Sequence, residues 1–204
     1  MPDASSPSRG QAEALPGTRS TGTAHRNDGF SLIETIIGLV LLTLIARIAV
    51  VNIVGIMPGI KTNEASAQTV AQLRRGRHLA LAQRRNIEIR FVDPNQIQLV
   101  RHEVPNGTTV LSTVTLDNSV QFLQFSGVPD TPDAFGNGSA VDFGDAGALI
   151  FLTDGTLVDD QSQPVSGSIF LGLTGHPETA RAVTVLGATG RIRAYRWTST
   201  EWIQ

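Results

Sequence analysis

From Phe30 to Met57 apolar residues dominate, and no residue between Ile36 and Ile45 is charged. At about 1.5 Å per residue, a helix over that stretch is long enough to cross a bilayer. Beyond it the helical pattern admits polar residues. Val70, Leu73, Ala80 and Leu81 fall near one face, which predicts an amphipathic continuation packed on a sheet. The two stretches together predict one helix from Phe30 to about Asn86, with Pro58-Gly59 as a place for a kink. Arg77 and Arg84, seven residues apart, are expected to share a side of it.

From Ile87 the period changes to two. Ile87, Ile89 and Phe91 alternate with Glu88, Arg90 and Val92, Asp93-Pro94-Asn95 signals a turn, and Ile97 and Leu99 alternate with polar neighbours. That is a hairpin. Further strands are expected over Val110–Leu116, Val120–Phe125, Leu149–Leu152, Ser168–Leu173, Ala182–Leu186 and Arg191–Trp197, with turns at Asp154-Gly155 and Gly187–Gly190. Ser126 to Ala140, rich in Gly, Pro and Asp, reads as an exposed loop. Ahead of the helix, Met1 to Asp28 is rich in Ser, Thr, Gly, Pro and Ala and has no apolar periodicity. The expected organisation is a leader at 1–29, a membrane-spanning helix at 30–57, its amphipathic continuation at 58–86 and a β head at 87–204. The head is large enough for one core and too small for two.

Charge sharpens this division. Residues 61–90 carry seven basic and two acidic side chains, whereas residues 91–204 carry five basic and twelve acidic. A basic stalk therefore meets an acidic head. There is no cysteine, so disulfides and thiolate metal sites are excluded and the head must be held by packing. The four histidines are scattered without metal-ligand spacing. Asp142, Asp145, Asp154, Asp159 and Asp160 lack the alternation of a compact calcium loop and read as turn residues. No nucleophile elbow or phosphate loop is present. No enzyme, metal or cofactor is expected.

Two charges stand in the apolar stretch. Glu34 lies near its start, where an ionised group costs roughly 2.5–3.5 kcal/mol to insert. Arg47 lies 17 residues past Phe30, roughly 26 Å along a helix axis, where a long side chain snorkels to the interface; the alternative is pairing with another subunit's acid inside a filament. A plain secretory signal does not fit: its apolar region is shorter, and Ala46-Arg47-Ile48-Ala49 lacks the small-x-small spacing.

The string Gly29-Phe30-Ser31-Leu32-Ile33-Glu34, followed at once by the apolar run, resembles the class III signal of type IV pilins and type II secretion pseudopilins. The resemblance implies leader cleavage between Gly29 and Phe30, N-methylation of Phe30, and an assembly role for Glu34. Asp28 stands where a basic residue is common in that family, and the nearest positive charge is Arg26. Three further segments look like GspH/FimT-type minor subunits: Leu73 to Asn86, ending Arg-Arg-Asn; Phe151-Leu152-Thr153-Asp154-Gly155-Thr156; and Ala182-Val183-Thr184-Val185 running to Gly190-Arg191-Ile192-Arg193. The implied fold is α+β and type IV pilin-like, a long N-terminal helix packed on an antiparallel two-sheet β head.

The expected function is that of a minor pseudopilin of a type II secretion system, single-pass in the bacterial inner membrane with its head in the periplasm. The implied partners are other pseudopilins or pilins, the prepilin peptidase, the inner-membrane assembly platform and membrane lipid. One alternative is a FimT-like minor type IV pilin acting in pilus assembly or DNA uptake, because a Gly-Arg-x-Arg tail is associated with DNA binding in that group. Arg191, Arg193 and Arg196 are then the candidate nucleic-acid contacts. A half-buried final strand accounts for the same residues without a ligand, with Arg191, Arg193 and Tyr195 on one side and Arg196 on the other. The remaining alternative is a membrane-tethered β domain that binds a partner and never polymerises.

Overall fold

The computed structural model describes residues 30–117 and 119–204, and for residues 48–56 the backbone alone. The expected leader, 1–29 with Gly29, lies outside the described residues, and the expected membrane span includes the stretch described by backbone alone. Helix α1 runs over Leu32–Gln83, 52 residues. The chain divides into two compact units between Ile45 and Ala46.

Among the described residues of the first unit every large side chain is exposed. Phe30, Leu32, Ile33, Ile36, Ile37, Leu39 to Leu42, Leu44 and Ile45 are all exposed. The threonine hydroxyls described there close on their own helix: Thr35 Oγ1 donates to the Leu32 carbonyl at 2.7 Å and Thr43 Oγ1 to the Val40 carbonyl at 2.8 Å. Apart from Glu34, the large side chains of this stretch are apolar on every face. Among the described residues no helix is long and apolar enough to cross a membrane.

In the second unit α1 passes through Pro58 without a break. Thr62, Ala65, Ser66, Thr69, Leu73, Gly76 and Ala80 form its buried stripe, at steps of three and four with one adjacent pair. The stripe is made mostly of small residues. It brings the helix close to the sheet, and a Cβ at Gly76 would lie 3.1 Å from Ile89 Cδ1 and 3.2 Å from Leu99 Cδ2. The expected face is corrected in one member. Leu73 and Ala80 are buried and Val70 packs half-buried on the core, but Leu81 is 42% exposed. One residue beyond Ala80 is a 100° turn away from the stripe. The helix also stops sooner than expected. Arg84 adopts a left-handed φ of 49° just past Gln83, so it does not share a helical side with Arg77.

The head is two antiparallel sheets. The first, in the order β3-β2-β1-β6-β7, holds β1 (Ile87–Val92), β2 (Gln96–His102), β3 (Thr108–Thr115), β6 (Leu149–Phe151) and β7 (Leu157–Val158). The second, in the order β11-β10-β9-β8-β4, holds β4 (Gln121–Phe122), β8 (Gly167–Leu173), β9 (His176–Leu186), β10 (Arg191–Trp197) and β11 (Trp202–Ile203), with β5 (Val141–Asp142) also paired to β8. Ile87, Ile89, Ile97, Leu99 and Phe151 of the first sheet meet Ile169, Leu171, Val183 and Val185 of the second and Leu73 and Ala80 of α1 in one core cluster. Each such side chain contributes roughly 1.5–3 kcal/mol when fully buried. A smaller cluster, Phe170, Ala182 and Tyr195 with Trp202, lies on the other face of the second sheet.

Candidate functional site

At the start of α1, Glu34 falls in the first turn, where the unpaired backbone N–H groups favour an anion. Its neighbours Leu32, Ile33, Ile36 and Ile37 are exposed aliphatics. Among the described residues Glu34 makes no ion pair. Phe30, 80% exposed, precedes it, and Gly29 lies outside the described residues.

In the head, the segment Ser126 to Ala140 does not hang free. It crosses the outer face of the second sheet and is tied there by Asp133, whose side chain is 8% exposed. Thr184 Oγ1 donates to Asp133 Oδ2 at 2.6 Å, Tyr195 Oη donates to the same oxygen at 3.0 Å, and Arg193 Nη1 donates to Oδ1 at 2.7 Å. Trp202 Nε1 adds a bond to the Pro129 carbonyl at 2.9 Å. Burial pushes the Asp133 carboxyl up, but the Thr184 and Tyr195 hydrogen bonds and the Arg193 charge outweigh it, so the group stays below the usual carboxylate range. Burial raises the Tyr195 hydroxyl.

Of the three tail arginines, Arg193 is therefore held inside the head. Arg191, on the same side, is half-exposed with a guanidinium nitrogen 3.9 Å from Asp133. Arg196 is exposed and on the opposite side. The alternation expected from the sequence places Arg191, Arg193 and Tyr195 together, as observed, but nothing in the sequence pointed to Asp133 as their partner. It is one acid among several in a loop that carries no periodicity.

The inner face of the same two strands is different. Arg181 of β9 stands directly opposite Arg196 of β10. Arg181 is buried at 5% exposure, with Nε donating to Asn63 Oδ1 of α1 at 2.7 Å and Nη1 to the Ala180 carbonyl at 2.8 Å. Burial, with the nearby Arg196 charge, lowers its pKa to about 10.

The three head motifs converge on Arg77. Its Nε donates to the Gly155 carbonyl at 3.2 Å, the Asp154-Gly155 turn closes with Gly155 N–H on the Leu152 carbonyl at 2.9 Å, and Gly190, at φ +61°, abuts both Gly155 and Arg77. A side chain at Gly190 would strike the Gly155 carbonyl oxygen. Motifs that look weak one by one are thus a single joint between the helix end and two hairpin turns. Among the described residues no three potential ligand side chains gather to hold a metal ion.

No family model matches the chain, and no curated protein matches it. Solved structures do. The chain is similar to the minor pseudopilin EpsH of the type 2 secretion system of Vibrio cholerae, with 13% identity over 67% of this chain and 97% of that one and a TM-score of 0.46. A second EpsH crystal structure gives 16% identity, 67% and 94% coverage and a TM-score of 0.45. The type IV minor pilin FimU of Pseudomonas aeruginosa gives 16% identity, 71% and 93% coverage and a TM-score of 0.47.

Proposed function

We propose that this chain is a pilin-like filament subunit, and within that class a minor pseudopilin of a type II secretion system. The observation that carries the reading is Glu34: a lone acid in the first turn of α1, whose other large side chains from Leu32 to Ile45 are apolar and exposed, ahead of a β head with its own core. Such a surface is covered either by lipid or by like helices. The acid gives it a register. Cleavage between Gly29 and Phe30 creates an amine on Phe30, which is then methylated. The Glu34 carboxylate pairs with that amine on a neighbouring subunit, where apolar surroundings strengthen the attraction and penalise an unpaired charge. The chain sits in the inner membrane with its head in the periplasm.

Secretion is favoured over DNA uptake by the tail. Arg193 is engaged by Asp133, so nucleic acid is left two exposed arginines on opposite sides of one strand. The acidic excess of the head also opposes long-range attraction of DNA.

The test has two parts. Mass spectrometry of the protein from its native membrane fraction is expected to find a chain beginning at methylated Phe30, and a chain retaining its first 29 residues overturns the reading. Glu34→Ala is expected to be processed normally and to fail to enter filaments. Normal incorporation of that variant rejects the role of the acid.

A further inference from the structure

Arg181 and Arg196 face each other across β9 and β10 without a carboxylate partner among the described residues. Like charges directly opposite in an antiparallel pair repel each other, and this pair is in register across β9 and β10. Both hydrogen-bond acceptors of Arg181, an amide oxygen and a main-chain carbonyl, are neutral. Among the described residues no carboxylate forms an ion pair with either guanidinium. A buried cation without a counter-charge is destabilising. The two arginines, with Asn63 and Ser66 of α1, Ile203 of β11 and Gln204, line a concavity of about 360 Å³. The second terminal nitrogen of Arg181 makes no hydrogen bond among the described residues.

We infer that this concavity binds a phosphate group, supplied by the phosphodiester of a lipid headgroup. Guanidinium groups pair with phosphate oxygens two at a time, and the Asn63 amide and Ser66 hydroxyl offer further donors. The source follows from position and rests on the membrane-spanning reading of α1. Asn63 is six residues beyond Met57, where the apolar stretch ends, or about 9 Å along the helix. Headgroups occupy roughly the first 5–8 Å outside the hydrocarbon, so Asn63 falls at their outer edge. Arg181 is bonded to Asn63 and so sits at that level. An acidic head is repelled by an anionic surface, and a pair of arginines at the point of approach reverses that locally. A phosphate in the pocket neutralises the repulsion between Arg181 and Arg196 and ties the head to the membrane surface until the subunit leaves it.

The full chain in nonionic detergent is unfolded by heat and followed by tryptophan fluorescence, with phosphatidylglycerol, monoolein, inorganic phosphate or acetate added at matched ionic strength. Phosphatidylglycerol at ten times its dissociation constant is expected to raise the midpoint by roughly 3–6 °C. Monoolein, which lacks phosphate, is expected to leave it unchanged, and inorganic phosphate to give a smaller shift. Arg196→Gln is expected to raise the midpoint without lipid and to lose the lipid response, and Arg181→Gln to lose it as well if that variant folds. Equal shifts with monoolein and phosphatidylglycerol overturn the inference, as does a response retained by Arg196→Gln. Inorganic phosphate reproducing the whole lipid shift overturns the lipid source, and a shift with acetate but not phosphate assigns the pocket to a protein carboxylate and overturns it too. An uncleaved chain carries the same helix and pocket, so failure of processing at Phe30 strikes the filament reading and leaves this one standing.

Discussion

A Cβ added at Gly38 would meet nothing within 4 Å, whereas at Gly76 it would press on Ile89, Leu99 and Phe151. Both glycines belong to α1. Around Gly38 the side chains are large, aliphatic and exposed; around Gly76 the buried positions are mostly alanine, serine, threonine and glycine. The comparison inverts the usual expectation that big apolar residues mark the buried face. Among the described residues of the first unit, size and exposure go together. In the second, small residues are buried because the helix lies close on a sheet whose own isoleucines, leucines and phenylalanine fill the space.

The largest effect should come from the aliphatics. Leu73, 1% exposed in the core, is expected to cost about 2–5 kcal/mol when changed to Ala, by lost transfer energy and a residual cavity. Leu39→Ala, at 67% exposure, is expected to leave the unfolding midpoint of the head where it was. Chemical denaturation of the full chain in detergent reads both. A comparable loss from Leu39→Ala would mean that the first unit is packed against protein after all.

The glycines sharpen the same contrast at lower energy. Gly76→Leu is expected to destabilise by about 1–3 kcal/mol, because the closest atoms belong to side chains fixed in the core. Gly38→Leu meets no obstacle and gains helix propensity of at most about 1 kcal/mol. If both substitutions prove neutral, the close approach of α1 to the first sheet is wrong.

The strong periodic signals were legible in the sequence. The hairpin Ile87–Val92 and Gln96–His102, turning at Asp93-Pro94-Asn95, follows directly from period-two alternation, as does Arg191–Trp197. The buried stripe of α1 was only half legible. Leu73 and Ala80 show an apolar period, but Ser66, Thr69 and Gly76 do not register as core on any hydrophobicity scale. They are buried because closeness, not apolarity, is what the interface selects. The strands β5, β7 and β11 have two residues each, too few for a period, and exist only because a longer neighbour pairs with them. The expected strand Val120–Phe125 shrinks to Gln121–Phe122. The His176–Arg181 half of β9 was missed because its charged residues hide the alternation. At the candidate sites, Glu34 stood out as an acid in an apolar run. Asp133, Asn63 and Arg181 did not, since each is defined by a partner at least 51 residues away in sequence.

The smallest effect concerns protons, and it separates carboxylates that the head builds in from those it merely carries. On the first sheet Glu88 accepts from Arg90 Nη2 at 3.0 Å and contacts His102 Nε2 at 2.9 Å. The Arg90 hydrogen bond holds its carboxyl below the ordinary value of 4.5; burial works against this, and the His102 hydrogen bond adds to it. On the second sheet Asp133 is held below its ordinary 3.8. In both cases the unfolded chain takes up the proton first, so each contributes stability that is fully present above the unfolded value and is lost as pH falls through the folded one. Stability of the head should therefore be level near neutrality and fall as acid is added from about pH 5 downward. Glu88→Gln is expected to flatten the upper part of that fall and Asp133→Asn the lower part, each with little change in shape above pH 6. An acid limb unaltered in both variants would show that neither carboxylate is linked to folding, and that the strap across the second sheet is held by Trp202 and backbone contacts alone.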